Sequence, residues 1–216
     1  MSVKAVVFDM DGVIFDTESL ALECWLKVGE RHGLENVRHY AMVCIGRSTK
    51  DSTEILKRAY PDEDIGSLWV ECSAEYKKRI ENGGLRLKKG ARELLEWLTD
   101  NGVKTAVASS SAYDGVKDHL DRTGLTGYFD RIIGGDMVEN SKPEPEIYLK
   151  ACEMLGVPPD QAYAIEDSNN GIISAYRAGM IPLLVPDIVK NTDEVRAMAH
   201  REFKDLFEVR DHFEEL

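Results

Sequence analysis

The chain has 216 residues, with 27 Lys plus Arg against 39 Asp plus Glu and a formal net charge of −12. This length suits one ordinary domain, or a domain carrying a smaller insert, with enough buried surface for a core without disulfide staples. Hydrophobic content of 43% beside 31% charged residues argues against a disordered tail or a membrane protein, and the acidic excess argues against nonspecific binding to a nucleic-acid backbone. Small phosphorylated substrates stay compatible with such a chain if a bound cation reverses the field locally.

In chain order, the first apolar run is Ala5–Phe8, too short for a signal-peptide core before Asp9 interrupts it. From Thr17 to about Arg86 the pattern is helical, with helices expected over Glu18–His32, Ser48–Ala59 and Glu63–Ile80. Loops fall near Gly33, Gly46 and Pro61-Asp62, and Asn82-Gly83-Gly84 marks the end of this stretch. Short apolar runs then recur at Thr105–Ala108, Arg131–Ile133, Ala162–Ile165 and Pro182–Val185, separated by helix-period segments. This alternation predicts an α/β fold: a Rossmann-like, doubly wound parallel sheet with an all-helical insert after the first strand. The expected division is residues 1–16 and 87–216 for the α/β core and 17–86 for the insert. Ser111 is read as a helix N-cap, Pro143-Glu144-Pro145 as a helix start, Gly179 as a helix C′ residue, and Glu214-Glu215-Leu216 as a solvated helix end.

Cys24, Cys44, Cys72 and Cys152 form no CxxC pair and no zinc spacing; they read as small buried hydrophobes in a reducing compartment, so a cytoplasmic location is expected. The histidines are scattered without ligand spacing, and no apolar run approaches the roughly 20 residues of a membrane span.

Four strand ends carry polar groups. In Asp9-Met10-Asp11-Gly12 two carboxylates sit two apart, so both can lean to one point beyond the sheet, where open parallel sheets bind ligands. The same residues could simply form a turn. Glu166-Asp167-Ser168 again sets acids directly after a strand; Asp167 or Ser168 would cap the next helix, and Asp9 with Asp167 would also suit Mg²⁺, a cation bound by oxygen. Lys142 precedes Pro143, which favours extended geometry there; a lysine is ordinarily exposed, but a cation is needed among these acids. Ser109-Ser110-Ser111 joins a strand to a helix and could cradle a phosphate, although such turns also occur without ligands.

Taken together, these features resemble the haloacid dehalogenase superfamily of phosphohydrolases, in the branch with a helical cap after the first strand that holds phosphatases and β-phosphoglucomutase. The likeness covers nearly the whole chain and is closest at Asp9–Glu18 and Lys142–Pro145. It implies Asp9 as the nucleophile on phosphorus and Asp11 as general acid/base. It implies Mg²⁺ as cofactor, held by Asp9, the Asp11 main-chain carbonyl and Asp167, with Glu166 on or near the metal shell. Ser109, Ser110 and Lys142 would hold phosphate oxygens. A cation is needed because a carboxylate and a phosphate about 4 Å apart repel by roughly 4 kcal/mol at an effective dielectric near 20. Asp11 also argues against the dehalogenases, which lack the second aspartate because a halide leaves without a proton.

The resemblance makes the insert a lid hinged at Asp16-Thr17 and Asn82–Leu85, with Trp25, Tyr40, Trp69 and Tyr76 as cap core and Arg47 as a substrate contact. The mutase branch carries a lid arginine, a histidine and a lysine where this chain has Thr49, Ala21 and Ala112. The first reading is therefore a Mg²⁺-dependent phosphatase acting on a small phosphomonoester, such as a sugar phosphate. The second is a phosphosugar mutase, and the third a non-catalytic regulatory binder on the same fold. The expected partner is a small phosphorylated metabolite, with no nucleic acid or membrane, and the expected state is a monomer or weak dimer.

Overall fold

A computed structural model describes residues 3–45, 49–188 and 190–216. It divides into two compact units, one formed by Met1–Phe15 with Leu87–Leu216 and one by Asp16–Arg86.

The first unit is built on strands β1 (Ala5–Phe8), β2 (Lys104–Ala108), β3 (Arg131–Ile133), β4 (Ala162–Glu166), β5 (Ile181–Leu184) and β6 (Arg201–Glu202). They form one sheet in the order β3-β2-β1-β4-β5-β6, parallel at every pairing. The expected doubly wound parallel sheet is what the chain forms. The order reverses at β1, which pairs with β2 on one side and β4 on the other, with Phe8 opposite Val107 and Ile165. A crevice beyond the carboxyl ends of the strands at such a reversal is the usual ligand position.

Within this unit the helices are α5 (Ala91–Asp100), α6 (Tyr113–Thr123), α7 (Glu146–Leu155), α8 (Asn169–Arg177), α9 (Asp193–Met198) and α10 (Leu206–Glu214), following α1–α4 of the second unit. One sheet face presents Ala5, Val7, Ala106, Ala108, Ala162 and Ala164 to α7 and α8. These small residues admit the bulk of Tyr148, Ile147 and Cys152 from α7, all of them buried. Alternate residues face the other side, where Tyr163 meets Phe213 of α10 and Phe8 meets Phe129, both edge to face.

The second unit holds α1 (Thr17–Arg31), α2 (Val37–Cys44), α3 (Thr49–Ala59) and α4 (Ile65–Glu81). Its core gathers Leu22, Trp25, Val28, Ala41, Leu56, Ile65, Leu68 and Cys72, with Tyr40 and Trp69 packed against them. Trp25 and Trp69 meet edge to face at 4.9 Å. Tyr76, expected in that core, is only partly buried and is not among its residues.

Three elements differ from the sequence reading. Helix α2 was not anticipated, although Val37, Tyr40, Ala41 and Cys44 follow helical spacing; its N-cap Asn36 adopts a left-handed conformation and offers no side-chain cap. Ser111 is not an N-cap. Helix α6 starts one residue later, behind Ala112, and the Tyr113 N–H donates to Asp136 Oδ1 at 2.8 Å, leaving the Ser111 hydroxyl for another partner. Strand β6 is two exposed polar residues on the sheet edge, too short to leave a pattern. Elsewhere the agreement is close: Ser168 caps α8 by accepting the Gly171 N–H, and Gly179 follows that helix at φ +78°. None of the four cysteines forms a disulfide, and among the described residues no helix is long and apolar enough to cross a membrane.

Candidate active site

Asp9 is the first residue beyond β1, and its N–H donates to the Ile165 carbonyl at 3.0 Å, so the sheet ladder continues through it. Its side chain is 11% exposed. Ser109 stands one step beyond β2, its N–H on the Ile133 carbonyl at 3.1 Å. Glu166 ends β4, with Asp167 next in the chain. The strand register therefore brings Asp9, Ser109, Glu166 and Asp167 to one end of the sheet.

Lys142 joins them from the loop before α7. Its Nζ donates to Asp9 Oδ1 at 2.5 Å, to Glu166 Oε1 at 2.6 Å and to the Ala108 carbonyl at 3.0 Å. Its side chain is only 5% exposed, so this is not an ordinary surface lysine. Burial works to lower its pKa, but Asp9 and Glu166 together hold it well above the usual lysine value. The two carboxylates thus favour its charged form.

Asp9 shows the opposite balance. Burial pushes its carboxyl up to about 8; Lys142 works against that rise, and Glu166 and Asp11 add to it. Lys142 alone is not enough cation for the carboxylates around it.

Glu166 is fully buried. Besides Lys142 it accepts from the Tyr148 hydroxyl at 2.7 Å and the Ser168 hydroxyl at 3.0 Å. A Cβ on Gly171 would fall 1.8 Å from Glu166 Cδ, so only glycine lets the first turn of α8 close over this carboxylate. Burial and the neighbouring Glu166 hold the Tyr148 phenol well above its usual pKa, which keeps it a proton donor.

Asp11 receives the Ser111 hydroxyl on Oδ2 at 3.1 Å and the Ser109 hydroxyl at 3.4 Å, while Ser109 Oγ accepts the Ser111 N–H at 3.0 Å. The serine turn thus orients the second aspartate. Gly12 follows at φ +81°, and a Cβ there would come within 2.4 Å of Asp167 Oδ2. The DxDG glycine is needed both for its backbone conformation and for the close approach of Asp167.

Asp9, Glu166 and Asp167 each bring a carboxylate oxygen within 4.8 Å of the others. An all-oxygen, anionic donor set fits a hard divalent cation such as Mg²⁺. Glu166 already accepts three side-chain donors, so Asp9 and Asp167 are the better placed of the three for direct ligation.

Of the residues singled out in the sequence, Asp9, Asp11, Ser109, Lys142, Glu166 and Asp167 are brought together. Ser110 is exposed and makes no part of this hydrogen-bonded cluster among the described contacts. Arg47 and Gly46 lie outside the described residues. Tyr148 and the Ser111 contact with Asp11 were missed. Tyr148 sits in the apolar stripe of α7 and reads as core, with nothing in its spacing to mark its hydroxyl.

A family model for haloacid dehalogenase-like hydrolases matches residues 6–185. The chain belongs to that family and is a hydrolase. It is 36% identical to a Thermotoga maritima protein named phosphorylated carbohydrates phosphatase, over 82% of each chain. A solved Thermotoga maritima structure, provisionally assigned as a beta-phosphoglucomutase, superposes with a TM-score of 0.83 at 31% identity over 99% of each chain. A HAD family hydrolase from Deinococcus radiodurans, solved with bound phosphate and sodium, gives a TM-score of 0.83 at 26% identity, covering 98% of this chain and 95% of the other.

Proposed function

We propose that this protein is a Mg²⁺-dependent phosphatase that hydrolyses a small phosphomonoester by way of a phosphoryl group carried on Asp9. The observation that carries the reading is Lys142 Nζ, buried and bridging Asp9 and Glu166 at 2.5 and 2.6 Å, beside the carboxylate of Asp167. A buried lysine fixed at a carboxylate suits a site that must bring that carboxylate to an anionic phosphate.

Asp9 and Asp167, with the Asp11 carbonyl, would hold Mg²⁺, which when bound offsets the repulsion between carboxylate and phosphate. An Asp9 oxygen attacks phosphorus as the bond to the ester oxygen breaks. Asp11 gives its proton to that leaving oxygen. A water then attacks the phosphoryl group and passes a proton to Asp11, releasing inorganic phosphate and restoring the Asp9 carboxylate. Lys142 and the Ser109 hydroxyl hold the phosphoryl oxygens as charge spreads over them. Ser111 and Ser109 keep Asp11 turned toward the centre. The helical unit would act as the lid that selects the leaving group, with a sugar phosphate as the substrate class that the Thermotoga phosphatase suggests.

A phosphomonoester panel with and without Mg²⁺ tests this. Asp9→Asn is expected to lower turnover by about 10⁴-fold or more, and EDTA to suppress it. Persistent turnover in either case would refute the mechanism. The 31% identity to the provisionally assigned phosphoglucomutase supports a second reading, a phosphosugar mutase. It predicts conversion of β-glucose 1-phosphate to glucose 6-phosphate with a bisphosphate primer; hydrolysis without conversion rejects it.

A further inference from the structure

The loop after β5 carries a carboxylate that the mechanism above does not use. The Asp187 side chain is 9% exposed, and its Oδ1 accepts from Lys88 Nζ at 2.6 Å. Its Oδ2 is buried and has no hydrogen-bond partner. That oxygen lies 3.1 Å from the position a Cβ on Gly12 would take, and Asp167 Oδ2 lies 2.4 Å from the same position. Two carboxylate oxygens thus share one small space against the DxDG backbone. The same loop also fixes Asp167: Asn191 Nδ2 donates to its main-chain carbonyl at 2.8 Å.

Lys88 balances Asp187 and Lys142 faces Asp9 and Glu166, but these two lysines do not balance five carboxylates once Asp11 and Asp167 are counted. A buried carboxylate oxygen aimed beside a second carboxylate calls for a positive or proton-donating neighbour. Mg²⁺ keeps several of its waters, and such waters are donors.

We propose that Asp187 is a positioning residue of the cation site, its Oδ2 accepting a hydrogen bond from a water on a divalent cation held by Asp9 and Asp167. This rests on the metal-dependent reading above. Asp187 thereby tightens the site and biases it toward a hydrated divalent ion. Lys88 occupies Oδ1, which leaves Oδ2 as the oxygen free to face that water.

The test is Mn²⁺ binding to the full chain, followed by the paramagnetic signal of free Mn²⁺, for wild type, Asp187→Asn, Lys88→Met and Asp167→Asn, with folding of each checked by circular dichroism. Asp187→Asn keeps an acceptor for Lys88 but turns a donor toward the site. It is expected to weaken Mn²⁺ binding about 10- to 100-fold, as loss of an outer partner does. The Mg²⁺ concentration for half-maximal turnover should rise in the same proportion. Lys88→Met, which keeps the carboxylate, is expected to bind Mn²⁺ at least as tightly as wild type. Wild-type affinity in Asp187→Asn beside weakened binding in Asp167→Asn overturns the role of Asp187 and leaves the metal site standing. Equal weakening in Lys88→Met and Asp187→Asn also overturns it, by assigning the effect to the ion pair. Absence of Mn²⁺ binding in wild type removes the metal-dependent reading itself.

Discussion

Each unit contains a buried carboxylate paired with basic side chains, and the two are balanced in opposite ways. In the helical unit Glu75 is paired with Lys27 at 2.5 Å, Arg79 at 3.5 Å and Arg31 at 3.8 Å. Its cations are 29–49% exposed, and hydrogen bonding by Lys27 leads the causes that hold its carboxyl below the usual range. In the α/β unit Asp9 faces one lysine that it shares with Glu166, and burial pushes it up to about 8. Glu75 has three cations within reach, Arg79 shared with Glu23 and Arg31 with Glu71, and water beside them, the pattern of a solvated structural network. Asp9 has too few and little water, a cost that folding alone does not explain. The difference separates a charge cluster that holds helices together from one poised to receive a cation and a phosphate.

The largest expected effect comes from removing the shared lysine. Lys142→Met leaves Asp9 and Glu166 buried with their common cation gone, and stability in metal-free buffer should fall by about 3–5 kcal/mol. Urea unfolding with and without Mg²⁺ measures this, and Mg²⁺ should return part of the loss. A variant as stable as wild type without metal would show that the Asp9 cluster is no more strained than the Glu75 cluster.

Asp11→Asn removes a group that tunes chemistry more than stability. Turnover of an alkyl phosphate is expected to fall about 10²- to 10⁴-fold, the usual range for a general acid/base. Loss on p-nitrophenyl phosphate should be smaller, because that leaving group needs little protonation. Equal losses on both substrates would assign Asp11 another role.

Most of this cluster can be read from the sequence because each member adjoins an apolar run that ends in a sheet. Asp9 after Ala5–Phe8, Ser109 after Thr105–Ala108 and the acids after Ala162–Ile165 require only parallel order and similar register to converge. Lys142 stands out only because a cation is needed among these acids, since no periodicity marks a loop lysine as buried; its place on the phosphate came from the resemblance. Tyr148 and Asp187 were not legible. The first is hidden in a helical apolar stripe, and the second lies in an irregular loop whose position depends on β5 pairing with β4. Helix α2 was hidden by its uncapped start, and the Ser111 contact by a cap that local sequence favoured but Asp136 supplied instead.

Tyr148→Phe sharpens the comparison within the buried cluster. It removes the phenol donor to Glu166 while keeping the ring that fills the alanine-lined sheet face. Lys142 and Ser168 still hold Glu166, so a loss of about 1.5–3 kcal/mol is expected, that of one hydrogen bond to a charged group. Turnover should fall only as far as Lys142 depends on Glu166 for its place. Denaturant unfolding and steady-state rates on the same preparation separate the two effects.

The smallest effect is expected at Glu75, and there the comparison can be broken from the other side. Glu75→Gln keeps an acceptor for Lys27 and Arg79 and releases cations that already reach solvent. Exposed ion pairs contribute little, and added salt screens most of what remains. The thermal midpoint should therefore drop slightly at low ionic strength and match wild type at high salt, with turnover unchanged. The sign with pH follows from the lowered carboxyl: whatever Glu75 contributes is present above its unfolded value and lost as pH falls through its folded one. A large, salt-resistant loss in Glu75→Gln would mean that its cations are not shielded by water, and that a cation-rich cluster can be as demanding as the cation-poor one at Asp9.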